Sequence, residues 1–311
     1  MEMTPRQRWL ALLDRRPVDR IPTDYQATHE VTERLLRDLG CASEDALWRK
    51  LHIDKRKYVE SRWRLPHHPD DPQADMWGVR YQRMDYGSGA YDEPAYCPLA
   101  AAETVADVHA HRWPDPDDFD YDVIARTLDE DDGYWPIHSC CYEPFLLYGY
   151  LRGLERSFED LVLRPDLADA ILGHIFNFYY EHQRRCFEAG GGRIHLTWVA
   201  EDLGSQTGPL LSLAMYRRFL LPNQIQMAQL ARSYGIHVAH LAGVPASVCE
   251  RAEQILATLE RHELKILDGP SIRPRDAGPH DRIRQLGLFR PAAEEVADQL
   301  RRTQTDRLTP L

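Results

Sequence analysis

The chain lacks several features that would settle its class at once. No apolar run approaches the roughly 20 residues that span a bilayer, so a membrane protein is not expected. The opening Met-Glu-Met-Thr-Pro-Arg-Gln-Arg has no apolar stretch of the signal-peptide kind, and a soluble cytoplasmic protein is the expectation. Basic residues are too few to wrap a nucleic-acid backbone: Lys+Arg number 38 against 49 Asp+Glu, a net charge of −11. No CxxC pair or zinc-knuckle spacing occurs among Cys41, Cys97, Cys140, Cys141, Cys186 and Cys249. These six read as buried reduced thiols with no shared site.

What remains is an average globular composition, 43% hydrophobic and 28% charged, spread over 311 residues. That length suits one large α/β unit. Apolar spacing and end signals predict helices over 4–15, 29–39, 43–51, 143–155, 165–190, 212–219 and 222–234. In the helix over 165–190, Leu167, Ile171, Ile175, Phe178 and Tyr179 recur on one face, and Gly190-Gly-Gly192 ends it. Strands are predicted at Arg20–Tyr25, Lys57–Ser61, Pro136–Cys140, Arg193–Ala200 and Ile236–His240. The stretch from Leu65 to Cys97 reads as an excursion with a hairpin arm at Trp77–Gln82. The acidic run over 113–135 reads as a solvated connector around one short helix, because Pro114 and Pro116 spoil a calcium loop.

Strand, helix, strand, helix with short links implies parallel crossovers, and a TIM (β/α)8-type barrel accommodates that order. The tail differs. From Ala246 onward basic and acidic residues balance, eleven of each. The tail supplies about one further βα unit where a closed barrel wants three, so the barrel is expected to be incomplete or divergent after about residue 243.

In a parallel barrel, side chains at the carboxyl ends of the strands meet at one mouth. That selects Asp24 and Tyr25, His138 to Cys141, Glu201 with Asp202, and His237 to His240. Two readings of Glu201-Asp202 stand side by side. The two carboxylates can form an acid/base pair with one proton held near neutrality. Alternatively, Asp202 caps the next turn and Glu201 points to the other face of the strand. His237 and His240 cannot share a strand face, so this pair alone does not make a metal site.

Several runs resemble the uroporphyrinogen decarboxylase superfamily. They are Thr4-Pro-Arg-Gln-Arg8, Asp19-Arg-Ile-Pro22, Glu143-Pro-Phe145, Tyr150-Leu-Arg-Gly153, Ala189-Gly-Gly-Gly192, Ala200-Glu-Asp-Leu-Gly-Ser-Gln-Thr-Gly-Pro209, Met215-Tyr-Arg-Arg-Phe-Leu-Leu-Pro222 and Tyr234-Gly-Ile-His-Val-Ala-His240. The resemblance covers roughly residues 1–243 of a single domain, with 244–311 a divergent tail. It implies a (β/α)8 barrel and either of two chemistries. One is a cofactor-free, decarboxylase-like lyase acting on a tetrapyrrole or smaller carboxylate. The other is methyl transfer with a corrinoid partner protein; a degenerate, non-catalytic member is the third reading.

The resemblance places Tyr150 at the decarboxylases' substrate-cleft tyrosine. It also places Tyr25 and His29 where those enzymes carry carboxylate-gripping arginines, a loss of bidentate recognition. In the methyltransferases a His-x-Cys-Gly run binds zinc. Here the run is His240-Leu-Ala-Gly243, and Ala242 cannot ligate a metal, so no cofactor is expected. The expected site is Glu201 or Asp202 as acid or base, Tyr150 orienting the ligand, and Asp24, His29 and His240 binding substrate. An unclosed sheet would also favour a homo-oligomer.

Overall fold

The computed structural model describes residues 2–241, together with Glu250, Arg251 and Gln254; of Ser233 and residues 235–241 only the backbone is described. The first helix, α1 (Pro5–Leu13), begins as the sequence predicts. Thr4 Oγ1 accepts from Gln7 N at 3.2 Å and Gln7 Oε1 accepts from Thr4 N at 3.0 Å, a reciprocal cap with Pro5 behind it. Two short helices follow, α2 (His29–Asp38) and α3 (Glu44–Lys50). The segment from Arg20 to Tyr25, expected as a strand, pairs with none of the described strands. Arg20 and Thr23 are instead tied to the Asp54 carboxylate, with Thr23 N donating at 2.9 Å.

That carboxylate anchors the N-terminal part of the chain. Asp54 is fully buried and Arg8 nearly so, at 0% and 1% exposure. One arm of the Arg8 guanidinium bonds Asp54, while its other nitrogens grip Asp19 at 2.6 and 2.8 Å. A charged pair this dry survives only when its polar atoms are satisfied together.

The strands are β1 (Lys57–Tyr58), β2 (Arg62–Trp63), β3 (Arg80–Asp85), β4 (Ala90–Tyr96), β5 (Phe119–Asp120), β6 (Ile137–Tyr142) and β7 (Leu196–Val199). Three of them form a parallel sheet in the order β1-β6-β7, with Lys57 opposite Ile137 and Trp198 opposite Cys141. The excursion is an antiparallel hairpin of β3 on β4, as its alternation predicts. The acidic run forms β5, a one-turn 3-10 helix and α5 (Asp122–Asp129), after α4 (Val105–Ala110). Its carboxylates are tied to distant arginines: Asp129 to Arg193 at 2.6 Å, Asp132 to Arg49 at 3.6 Å, and Asp131 to Arg6.

Between β6 and β7 run α6 (Pro144–Arg152), α7 (Leu154–Leu163) and α8 (Pro165–Gly190); after β7 come α9 (Leu213–Phe219) and α10 (Leu221–Leu241). The helix predicted over 143–155 is two helices, because Gly153 at φ 89° breaks it. Helix α8 is the spine. Its 26 residues span about 39 Å, and it packs against β6, α4, α5, α6, α7, α9 and α10. All five predicted face residues, Leu167, Ile171, Ile175, Phe178 and Tyr179, are buried. Gly191 closes it at φ 55°, ψ 38°, donating to Phe187 and Glu188 carbonyls. A side chain there must enter the left-handed region, so Gly191→Ala is expected to cost about 1–2 kcal/mol in urea unfolding.

The strand predicted at Ile236–His240 is not present; that stretch is the last part of α10. Three parallel strands do not close a barrel, and no closed barrel is found among the described residues. What they form is a partial parallel α/β sheet. Of the divergent tail, Glu250, Arg251 and Gln254 are described and are helical; the rest of it, including most of the further βα unit, lies outside the described residues.

Candidate active site

The carboxyl end of β6 opens onto a groove of about 600 Å³. Strand β6 delivers Cys141 and, one residue past its end, Glu143. Pro144 then starts α6, which contributes Leu146, Leu147 and Tyr150. Trp63 of β2 and Tyr179 of α8 form further wall, and the excursion adds Asp75, Met76, Trp77 and Tyr81. The Tyr81 and Tyr150 rings meet edge to face at 6.2 Å.

Asp75 is set by its own turn. Its Oδ1 accepts from the backbone N–H of Trp77 and Val79, both at 2.9 Å, and its Oδ2 accepts from the Tyr81 hydroxyl at 2.9 Å. Burial raises its pKa above the usual carboxylate range, against the pull of those three donors. Tyr150 is raised too, by burial and by the nearby Glu143.

Glu201 lies two residues past the end of β7 and is not itself part of the groove lining. Its Oε1 and Oε2 accept from Phe145 N at 3.1 and 2.9 Å, and the Gln224 amide donates to Oε1 at 3.3 Å. The Tyr216 hydroxyl donates to Gln224 Oε1 at 2.8 Å and so fixes the amide's orientation. Donors at a helix start favour the anion. Burial outweighs them, and with added repulsion from Glu143 it lifts the Glu201 carboxyl from the ordinary 4.5 to about 8. Glu201 therefore keeps its proton at neutral pH, in a form that can be given up.

The other expected residues are placed as follows. Asp202 is exposed, and neither it nor His29 lines the groove. His29 begins α2 with its side chain 81% exposed, beside Glu33 at 3.0 Å. Asp24 pairs with Arg56 at 2.5 Å and Lys55 at 3.8 Å. The His240 side chain lies outside the described residues. Of the six, Tyr150 lines the groove, and Glu201 bonds Phe145 N in the first turn of the same helix, α6. His138, at a strand position flagged by the sequence, has both ring nitrogens buried without a hydrogen bond. Burial, then Arg56 and Lys55, push its pKa down to about 4, so it is neutral.

Asp75, Tyr81 and Glu143 are not selected by the strand-end rule. Asp75 followed two residues later by Trp-Gly is a turn signal, but nothing in its spacing points to a site. The reading of the cysteines as unconnected is corrected for two of them. Cys140 and Cys186 are buried together, with His182 beside them. Burial pushes the Cys140 thiol up, but hydrogen bonds from Cys186 and His182 outweigh it and bring the thiol down to about 5. The same sulfur–sulfur contact, then burial, drives Cys186 upward.

A parallel α/β sheet with a groove at the carboxyl ends of its strands is the architecture in which ligand sites lie at strand ends. Comparison with known proteins fixes the family. The sequence model described as Uroporphyrinogen decarboxylase (URO-D) matches residues 84–263, more than half of the chain, and the chain belongs to that family. The match begins after the N-terminal runs that carry part of the resemblance and continues twenty residues past Gly243.

Part of the chain is also similar to DNA mismatch repair protein MutS. The Anaeromyxobacter sp. (strain K) protein is 48% identical over 90 residues, covering 26% of this chain and 10% of that protein. The Solibacter usitatus protein is 32% identical over 117 residues, covering 37% and 13%. The chain thus spans about a tenth of the length of these relatives. Among solved structures, a methyltransferase from Methanosarcina mazei is similar with a TM-score of 0.46 and 16% identity, covering 73% of this chain and 67% of that one. Among the described residues no helix is long and apolar enough to cross a membrane.

Proposed function

We propose that the groove is the active site of an acid–base enzyme acting on a small ring-bearing or methylated substrate, with Glu201 as proton donor. The observation that carries this reading is the seat of Glu201, whose pKa burial raises to about 8. Its carboxyl bonds Phe145 N at the start of α6, the helix that gives Leu146, Leu147 and Tyr150 to a groove whose charged lining residues are Asp75 and Glu143. Of the two family chemistries, decarboxylation of a tetrapyrrole polycarboxylate fits poorly. Its carboxylates would lose water against Asp75 and Glu143, and among the described residues no Arg or Lys lines the groove.

Methyl transfer from a neutral or cationic donor fits better. Trp63, Trp77, Tyr81, Tyr150 and Tyr179 offer faces to an aromatic ring or a methylated ammonium. As the methyl–oxygen or methyl–nitrogen bond breaks, the electron pair stays on the heteroatom, which takes the Glu201 proton. The acceptor would be the reduced, nucleophilic corrinoid of a partner protein, which would supply the electron pair of the new bond to the methyl carbon, as the family resemblance implies.

The test is thermal shift on the full chain with methoxyphenols, tetramethylammonium and uroporphyrin. A methylated ligand at 100-fold over its dissociation constant is expected to add about 2.7 kcal/mol of stability, and Tyr150→Ala is expected to abolish the gain. Uroporphyrin binding in preference to every methylated compound would return the lyase reading.

A further inference from the structure

On the α8 side of β6, a second cavity of about 650 Å³ is lined by Cys140, His182 and Cys186, together with Ser61 and Tyr142. One ligand atom from each of Cys140, His182 and Cys186 lies within 4.8 Å of the other two. His182 and Cys186 stand four residues apart on α8 and so share a face. Their ligand atoms, Nδ1 and Sγ, are 3.8 Å apart. A tetrahedral zinc with sulfur at about 2.3 Å and nitrogen at about 2.0–2.1 Å spaces its ligands about 3.5–3.8 Å apart. The helix pair is already at that spacing.

The third ligand comes from an unusual backbone. Cys140 sits inside β6 at φ 62°, where the register slips between His138 and Cys141. A non-glycine residue in this region costs about 1–3 kcal/mol and persists where its surroundings hold it. Such irregularities re-aim a side chain, and this one accompanies a thiol set against α8. The second ring nitrogen of His182 is also engaged, with Nε2 2.8 Å from Ser61 Oγ. An Nε2–H donated to Ser61 leaves Nδ1 as the lone-pair nitrogen, the arrangement that orients a metal-binding imidazole. In the metal-free chain the Tyr142 hydroxyl, 2.7 Å away, donates to that Nδ1.

We propose that Cys140, His182 and Cys186 form a zinc site, with a fourth position open to the cavity. Two sulfurs and one imidazole suit Zn²⁺, and three protein ligands with a free position are the coordination of a reactive rather than a closed structural zinc. Both cysteines bind as thiolates, so any thiol proton still present leaves on binding. The site uses none of residues 240–243, and its cavity shares Trp63, Met76, Cys141 and Tyr179 with the groove.

The test is anaerobic titration of the reduced full chain with Co²⁺ and then Zn²⁺. One Co²⁺ per chain should bind with thiolate-to-cobalt charge-transfer absorption and be displaced by one equivalent of Zn²⁺. Cys140→Ser and Cys186→Ser should each remove that absorption, whereas Cys141→Ser, at the adjacent exposed thiol, should keep it. Ser61→Ala, which removes no ligand, should keep the spectrum and weaken binding about 10–100-fold. The proposal is overturned by absent stoichiometric uptake, by uptake that survives loss of Cys140 or Cys186, or by unchanged affinity in Ser61→Ala.

Discussion

Replacing Glu201 with glutamine is expected to lower turnover by about 10²–10⁴-fold on any substrate that binds the groove, because a positioned proton donor contributes on that scale. The pH profile separates this from simple damage. Wild-type activity should decline as pH rises through about 8, where the carboxyl loses its proton, and the residual E201Q activity should not follow that decline. Stability should fall in the same direction. Between about 4.5 and about 8 the folded chain holds a proton at Glu201 that the unfolded chain has lost, so stability falls as pH rises across that window. The loss is on the order of 4 kcal/mol at its upper end. Glutamine carries no titrating proton, so E201Q should show a flatter dependence and gain on the wild type above pH 8. Urea midpoints across the window measure it; parallel curves for the two proteins would mean that Glu201 is not held protonated.

Asp54→Ala is expected to cost about 3–5 kcal/mol, the penalty for stripping a partner from a buried ion pair. The loss is large because Asp54 answers three groups at once: the buried Arg8 guanidinium, Arg20, and the Thr23 backbone N–H. Asp19 still holds Arg8 on its other edge, but the arm that faced Asp54 loses its acceptor. Equilibrium urea unfolding reads the change directly, and a cost under about 1 kcal/mol would class the network with exposed pairs.

The same network shows why part of the resemblance was legible without coordinates. Arg8, Asp19 and Arg20 are three of the four charged members of the two N-terminal runs, and the structure makes them one ion cluster around Asp54, while the fourth, Arg6, pairs with Asp131. Helices were readable where an apolar face and a stop coincide, as in α8 with its glycines. The reading failed at Ile236-His-Val-Ala-His240. Its β-branched residues and alternation mimic a strand, and Gly235 looks like a stop. A helix tolerates an interior glycine for about 1 kcal/mol, and α10 runs through it. At Arg20–Tyr25 the sequence has strand composition but finds no neighbour, since pairing depends on distant segments.

For the site, a family run made Tyr150 readable, and it lines the groove; a strand end singled out Glu201, which binds the start of α6. Asp75 and Tyr81 were not, because the excursion carries them into the groove by a turn and a hairpin rather than by sheet order. Cys140 and Cys186 are separated by two helices and most of a third, so no local spacing could pair them. Their proximity is a product of α8 lying on β6.

The parallel pairing of Lys57 with Ile137, and the grip of Arg6 on Asp131 and the Trp135 carbonyl, bear on how the chain is made. During synthesis the first 130 residues emerge before any of these partners exists. Loop closure over such separations is slow compared with helix growth, so β1 and Arg6 of α1 lack these partners while translation proceeds, although Arg8 can already reach Asp19 and Asp54. This nascent half is where a chaperone would be needed.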